Sequence, residues 1–583
     1  MQPKKTSERA AQRLGRAAGR TVSYADARLP VLEAARTGLR KAFPDHWSFL
    51  LGEIALYSLV VLLLTGTWLT LFFSPSLDHT TYTGSYAPLS GLRVSEAYAS
   101  TLRISFDVRG GLLIRQIHHW AALVFVSAIA VHLLRVYLTG AFRRPRELNW
   151  AVGVTMFVLA LLEGFAGYSL PDDLLSGTGL RTAQGIVLSL PVVGTYASFL
   201  VFGGEFPGHD IVPRLYPVHI LLVPGLLLGL VTLHLLLVVH LKHTQWAAPG
   251  RTGANAVGQP FHPRYTAKSA GLFFMVAGVL AALGALAQIN PVWNYGPYSA
   301  DVDSTDAQPD WYVGFLEGAL RLMPGIETRL WGHTLSWNPL VPAVILPGLL
   351  FTGLYAYPFF ERWITGERGE RHLCDRPRHR PARTALAVAV LTAYAVLLVA
   401  GAQDVFAYVT GVPVRGITWT LRVAVLVLPP AAFRVTRRLC LALQVRDNEL
   451  LTEGEETGEV YQTADGGFHG VHAPLPPGER YVRAVYELPA PRPLPAVARW
   501  PGTPWRVRAV ARLRTALSHW YYGDRQPPPL SRATRDAVAA VLAGPDVGPG
   551  AGTDVGPGGR DAGWAAGRDA GPGDGTPPQS SDA

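Results

Sequence analysis

Cysteine is nearly absent from the chain. Only Cys374 and Cys440 occur in 583 residues. Two thiols cannot staple a chain of this length, which excludes a disulfide scaffold. No Cys-x-x-Cys or Cys-x-x-Cys-His occurs. That excludes a cysteine-ligated iron–sulfur cluster and a c-type haem attachment site on this chain. Charge is scarce as well, at 16% of residues, against about 25% in soluble domains. With 49% hydrophobic residues, the chain is not an ordinary soluble protein, a collagen or a fully disordered polymer. A secretory signal is missing too. Lys4, Lys5, Arg9, Arg13, Arg16 and Arg20 open the chain, and no short apolar core follows before residue 47.

Long apolar runs are what the sequence has in abundance. Eight stretches are close to the ~20 residues that cross a bilayer as a helix: 47–71, 115–139, 150–170, 217–241, 268–288, 341–361, 384–402 and 416–433. The expected fold is an all-α integral membrane protein with eight transmembrane helices. The loops alternate in charge. Ten Lys/Arg precede the first segment and seven arginines lie between the sixth and seventh, whereas the loop after the fifth holds Asp301, Asp303, Asp306, Asp310, Glu317 and Glu327. Basic loops stay in the cytoplasm, so both termini are expected there. The net charge of +10 then reflects basic loops in a lipid bilayer and not a nucleic-acid partner. Residues 1–46 read as a basic cytoplasmic segment and 434–542 as a cytoplasmic extension with little periodicity. Residues 543–583, rich in Gly, Pro and Asp, read as disordered.

Histidines sit within the second and fourth apolar segments. Ionisable residues at membrane depth are costly and usually functional. His118 and His132 are 14 residues apart, which at about 100° per residue leaves them about 40° apart on one face and about 21 Å apart along the axis. His219 and His234 are 15 apart, or about 60°. Two facing histidines at each of two depths make two bis-imidazole sites, and imidazole suits iron. His119 lies about 140° from His132 and is expected to be a packing residue. Gly52 and Gly66 in the first segment, and Gly153 and Gly167 in the third, repeat the 14-residue spacing. A flat macrocycle between four helices needs such side-chain-free positions. Arg115, Arg135 and Arg214 flank the histidines where haem propionates would meet them, or where arginines snorkel at membrane ends.

At this point the chain resembles cytochrome b of the quinol–cytochrome c reductase (cytochrome bc1) complex, in its actinobacterial branch. The resemblance covers about 45–435. It rests on DVRGGLLIRQIH at 107–118, GYSLPDDLLSGTGLR at 167–181, HLKHTQW at 240–246, FHPRYTAK at 261–268 and the RPRHRPARTALAVAVLTAYAVLLVAG stretch at 376–401. It implies that 47–245 form a dihaem four-helix bundle and that 246–433 form a second membrane region. A low-potential haem b on the outer side would be held by His118 and His219, and a higher-potential one on the cytoplasmic side by His132 and His234. The family's outer quinol motif, PEWY, reads Pro309, Asp310, Trp311, Tyr312 here. Asp310 would take a proton from quinol, with Tyr312 beside it. Lys242 and His243 are candidates at the cytoplasmic quinone site. The sequence departs from the family at Ser269, which aligns with an Asp near the start of the fifth helix, and at Asp172 and Asp173, which stand where Trp-Gly is usual.

The resemblance implies electron bifurcation from a quinol, menaquinol in this branch, in the cell membrane. Partners would be a Rieske iron–sulfur subunit, a cytochrome c subunit, a terminal cytochrome c oxidase and a second copy of the complex. Two other readings use the same residues: a dihaem b anchor of a dehydrogenase, and a multi-pass transporter with a histidine proton relay.

Overall fold

The computed structural model describes residues 38–487 and 504–522, except 205–206, 254 and 303–307, together with Tyr24, Pro493, Leu494 and Arg532. The 543–583 tail and most of the basic 1–46 segment lie outside the described residues. In chain order, α1 (Trp47–Leu69) is followed by the short α2 (Glu96–Phe106), then α3 (Gly111–Leu138) and α4 (Glu147–Tyr168). Two further short helices, α5 (Leu174–Leu188) and α6 (Gly194–Phe202), lead to α7 (Ile211–His240) and α8 (Phe261–Leu286). The amphipathic α9 (Trp311–Leu322) precedes α10 (Trp337–Thr365), α11 (Pro381–Gly401) and α12 (Val414–Thr452). Outside the apolar region come α13 (Pro477–Glu487) and α14 (Trp505–Tyr522). Eight of these helices, α1, α3, α4, α7, α8, α10, α11 and α12, are long and apolar enough to cross a membrane. They expose Leu221, Leu236 and Leu349, as helices in lipid do and helices in water do not.

The first four long helices share one core. Ala55 and Leu59 of α1, Phe125, Val126 and Ala128 of α3, Ala160 of α4, and Val223 and Leu227 of α7 pack together, with Tyr312 of α9 against them. Pro217 interrupts α7, and a single wide π turn at Val218–Leu222 follows it. Proline removes one backbone donor, and the wide turn carries His219 in the resulting bulge. π turns of this kind concentrate at functional sites.

Two expectations about the chain's last third are corrected. The eighth span does not stop near 433 but runs 39 residues, about 58 Å at 1.5 Å per residue, roughly twice the ~30 Å hydrocarbon core. The extension, read as having little periodicity, contains regular elements. It forms a hairpin of Glu455–Gln462 with Phe468–Ala473, then α13 and α14. Its ties to the rest of the chain are long-range, so no local period reveals them. Buried Asp447 binds Arg378 at 2.6 Å and Arg483 at 2.6 Å. Tyr521 and Tyr522 of α14 pack on Ile364 and Ala382 at the ends of α10 and α11. Beneath them lies Arg383, fully buried, with Glu361 at 2.9 Å and Asp375 at 2.6 Å.

Candidate functional site

The four membrane histidines meet in two pairs. The ring centroids of His118 and His219 are 6.2 Å apart, and those of His132 and His234 are 6.5 Å apart. A metal held between two imidazoles by bonds of about 2.0–2.1 Å sets the rings at roughly that separation. The buried Nδ1 atoms of His132 and His234 have no hydrogen bond. The glycines complete the cradle. A Cβ at Gly52 would lie 3.2 Å from His132, one at Gly66 would lie 3.1 Å from His118, and one at Gly153 would lie 4.0 Å from His234. A Cβ at Gly167 would collide with His219. Thus α1 and α4 each present one glycine to each pair. These residues fit a flat iron macrocycle at each of two depths.

Other side chains hold the histidines. Thr65 Oγ1 is 2.9 Å from His118 Nδ1. Glu163 of α4 brings a carboxylate oxygen to 3.0 Å from His219 Nδ1. Glu163 was not picked out by sequence; its only signal there is an acid inside an apolar helix. Arg115 donates to the Asn290 carbonyl at 3.1 Å and lies over Trp293, and Arg135 lies 4.3 Å over Phe49. The Nε atoms of both arginines are buried without a partner, so each keeps a donor for an anionic group. Arg214 differs. It is 44% exposed and bound to Asp210 and the Leu200 carbonyl, both at 2.9 Å.

At the acidic end, Pro309 and Asp310 lead into α9, whose first residues are Trp311 and Tyr312. Asp310 occupies the N-cap position, yet its side chain makes no capping bond. It turns instead toward the bundle, where Tyr312 Oη donates to Oδ2 at 3.1 Å and His119 Nε2 stands 3.5 Å from Oδ1. His119, expected to be a packing residue, therefore faces the motif's carboxylate. Burial, with Asp310 next, pushes the Tyr312 phenol well above its ordinary range. It stays protonated and serves as a donor. Tyr312 lies against Gly164, where a Cβ would come within 2.6 Å of its Oη. Tyr394 fixes the motif by donating to the Trp311 carbonyl at 2.9 Å. Asp172 and Asp173 build the turn beyond α4. Asp172 takes a left-handed φ of 54°, and Asp173 caps α5 in a reciprocal pair with Ser176. Burial raises the Asp172 carboxyl to about 6.

At the arginine-rich end, a cavity of 280 Å³ runs from the His132–His234 pair to Lys242 and His243. Lys242 has a left-handed φ of 64°. The His243 ring packs 4.4 Å from Phe43. Burial, with Lys41 and Arg146 adding to it, lowers its pKa to about 4, so it is neutral at physiological pH.

Residues 123–297 match the family model described as cytochrome b(N-terminal)/b6/petB. The chain is 51% identical over 510 residues to the cytochrome bc1 complex cytochrome b subunit of Streptomyces coelicolor, covering 88% of this chain and 93% of that one. The subunit of the same name from Mycobacterium tuberculosis is 48% identical, with 80% and 85% covered, and that of Corynebacterium diphtheriae is 45% identical, with 81% and 87% covered. Among solved structures, a chain of a hyperthermophilic respiratory Complex III shares the fold at a TM-score of 0.52 and 21% identity, covering 72% of this chain and 99% of that one. The chain therefore belongs to the family of cytochrome b subunits of the cytochrome bc1 complex, the quinol–cytochrome c oxidoreductase of respiratory membranes.

Proposed function

We propose that this subunit oxidises quinol, menaquinol in this branch, at an outer site built on Asp310 and returns half of the electrons to quinone on the cytoplasmic side. The observation that carries this reading is the placement of Asp310. Its carboxylate makes no capping bond to α9 and stands beside His119, the chain neighbour of His118. Quinol oxidation releases two protons, and Asp310 accepts one from a quinol hydroxyl. Tyr312 holds the carboxylate through its hydroxyl, and Trp311 and Tyr312 limit water at the site. Bound between His118 and His219, and between His132 and His234, two haems b would supply one-electron carriage, the outer at low potential and the cytoplasmic at higher potential. Arg115 and Arg135, each with a free buried donor, would bind their propionates.

One electron leaves to a Rieske iron–sulfur subunit, since this chain has no ligand set for such a cluster. A cytochrome c subunit and a terminal cytochrome c oxidase follow, in a dimer of complexes in the plasma membrane. Both termini would lie in the cytoplasm, a reading that the basic loops support. Asp310→Asn keeps the shape and removes the basicity. Quinol oxidation by membranes carrying it should fall by about 10²-fold, with both b-type bands still formed by dithionite. A native rate across pH in this variant would overturn the role of Asp310. A reduced-minus-oxidised spectrum without a b-type band would sink the whole reading, as expected of a transporter.

A further inference from the structure

We propose that Glu53 of α1 is the proton-donating carboxylic acid of the cytoplasmic quinone site. This rests on the functional reading above and names a residue for its second half-reaction. Ser269, near the start of α8, has no acid to offer. The structure brings one to it from a helix more than 200 residues away. Ser269 Oγ donates to Glu53 Oε2 at 2.6 Å, and Tyr57 Oη donates to the same oxygen at 3.3 Å. Tyr265 Oη donates to the other oxygen, Oε1, and Tyr57 and Ser269 also bond each other. Three hydroxyls from two helices thus converge on one carboxyl group.

That group lines the 280 Å³ cavity shared with His132, His234, Lys242 and His243, and it is the only carboxylate among the described residues lining it. The other ionisable groups there are arginines, Lys242, histidines and Tyr265. Outside, Asp45 pairs with Lys268 and is not free to serve. Burial keeps His243 neutral, so its imidazole has no acidic proton to give at physiological pH. A proton-consuming reaction in this cavity needs an acid that gives up its proton and regains it from the cytoplasm. Glu53 meets that need, with the hydroxyls of Tyr57, Tyr265 and Ser269 as its contacts.

A bound quinone receives two electrons, both originating from quinol oxidised at the outer site. Two O–H bonds form at its former carbonyl oxygens. One proton comes from Glu53, whose carboxyl O–H breaks and is restored from cytoplasmic water. The second enters from water at the exposed Lys242 mouth of the cavity.

The test uses the assembled complex in membranes, pulsed with a short-chain menaquinol analogue while the b-type bands are followed. In Glu53→Gln, reduction through the outer site should keep its native rate, and reoxidation by the menaquinone analogue should slow by about 10²-fold. The bands should then stay reduced for longer. Moving the acid to the adjoining helix, in Glu53→Gln with Ser269→Asp, should restore reoxidation at least in part. A purely structural glutamate would not be rescued in that way. Native reoxidation in Glu53→Gln overturns the proposal. If that variant does not assemble, the double variant decides: recovery supports the proposal, and assembled haem with slow reoxidation overturns it. Failure of the outer-site reading looks different, because Asp310→Asn would then leave band reduction unslowed whatever stands at 53.

Discussion

At Gly66 and Gly52 even a single methyl group would press on a histidine ring. A Cβ there would meet His118 at 3.1 Å and His132 at 3.2 Å, and a β-branched side chain adds two more carbons beyond it. Gly66→Val is expected to remove or distort the b-type band of the His118–His219 pair alone, and Gly52→Val that of the other pair. Low-temperature spectra of membranes resolve the two, and unshifted spectra in both variants would refute the cradle. His243 gives a pH dependence. Its pKa in the folded chain is about 4, below the ~6.5 of a free histidine. The unfolded chain therefore binds more protons between those values, and stability rises with pH there. The contribution is complete above about 6.5 and is lost as pH falls toward 4. Thermal unfolding of the complex from pH 7 to 5 should show a smaller loss in His243→Phe than in the native chain. At this scale the sequence was readable where a period exists. His118, His132, Gly52 and Gly66 repeat at 14 residues. Glu53, Glu163 and the turn of His119 toward Asp310 follow no period, because their partners come from other helices.

Among the elements, the spans were visible as apolar runs, while the framework at their arginine-rich end was not. Asp375 shows why. It lies in the loop between α10 and α11 and touches Arg143, Arg380 and Arg383. Burial alone would raise its pKa, but these three guanidinium groups more than offset that and hold it far below the ordinary carboxylate range. A run of arginines in a loop reads as a solvated basic patch until its acids are known. Asp375→Asn leaves three cations, two of them buried, short of an anion and should cost about 3–5 kcal/mol, seen as a lower unfolding temperature or a loss of assembled complex. The native contribution is present above the unfolded carboxyl value of ~3.9 and is lost only as pH falls below it, so neutral-pH assays see it in full. The helix α14 covers the same cluster through Tyr521 and Tyr522. Truncation after Glu487 should therefore expose Ile364 and Ala382 and lower the yield of assembled complex.

For the whole molecule, truncation after Leu542 is the contrasting experiment. The residues removed have the composition of a chain that cannot bury a core. Haem content and quinol oxidation are expected to stay near native, and loss of either in membranes would give the tail a packing role. Family and fold were legible from motifs and runs together, whereas the ordered extension was not, since Asp447 finds Arg378 and Arg483 across long stretches of chain. The two histidine pairs also give the molecule an electrical character. They stand about 21 Å apart along α3, about two-thirds of the ~30 Å insulating layer. In the proposed function, each electron moving inward between them travels toward the negative side of an energised membrane. A full crossing costs about 2.3 kcal/mol per 100 mV, so this partial one costs about 1.5 kcal/mol, close to a tenfold shift in equilibrium. On that proposed reading, the spacing of four histidines would make the subunit a voltage-sensitive valve, one that slows its own turnover as the membrane it charges approaches full potential.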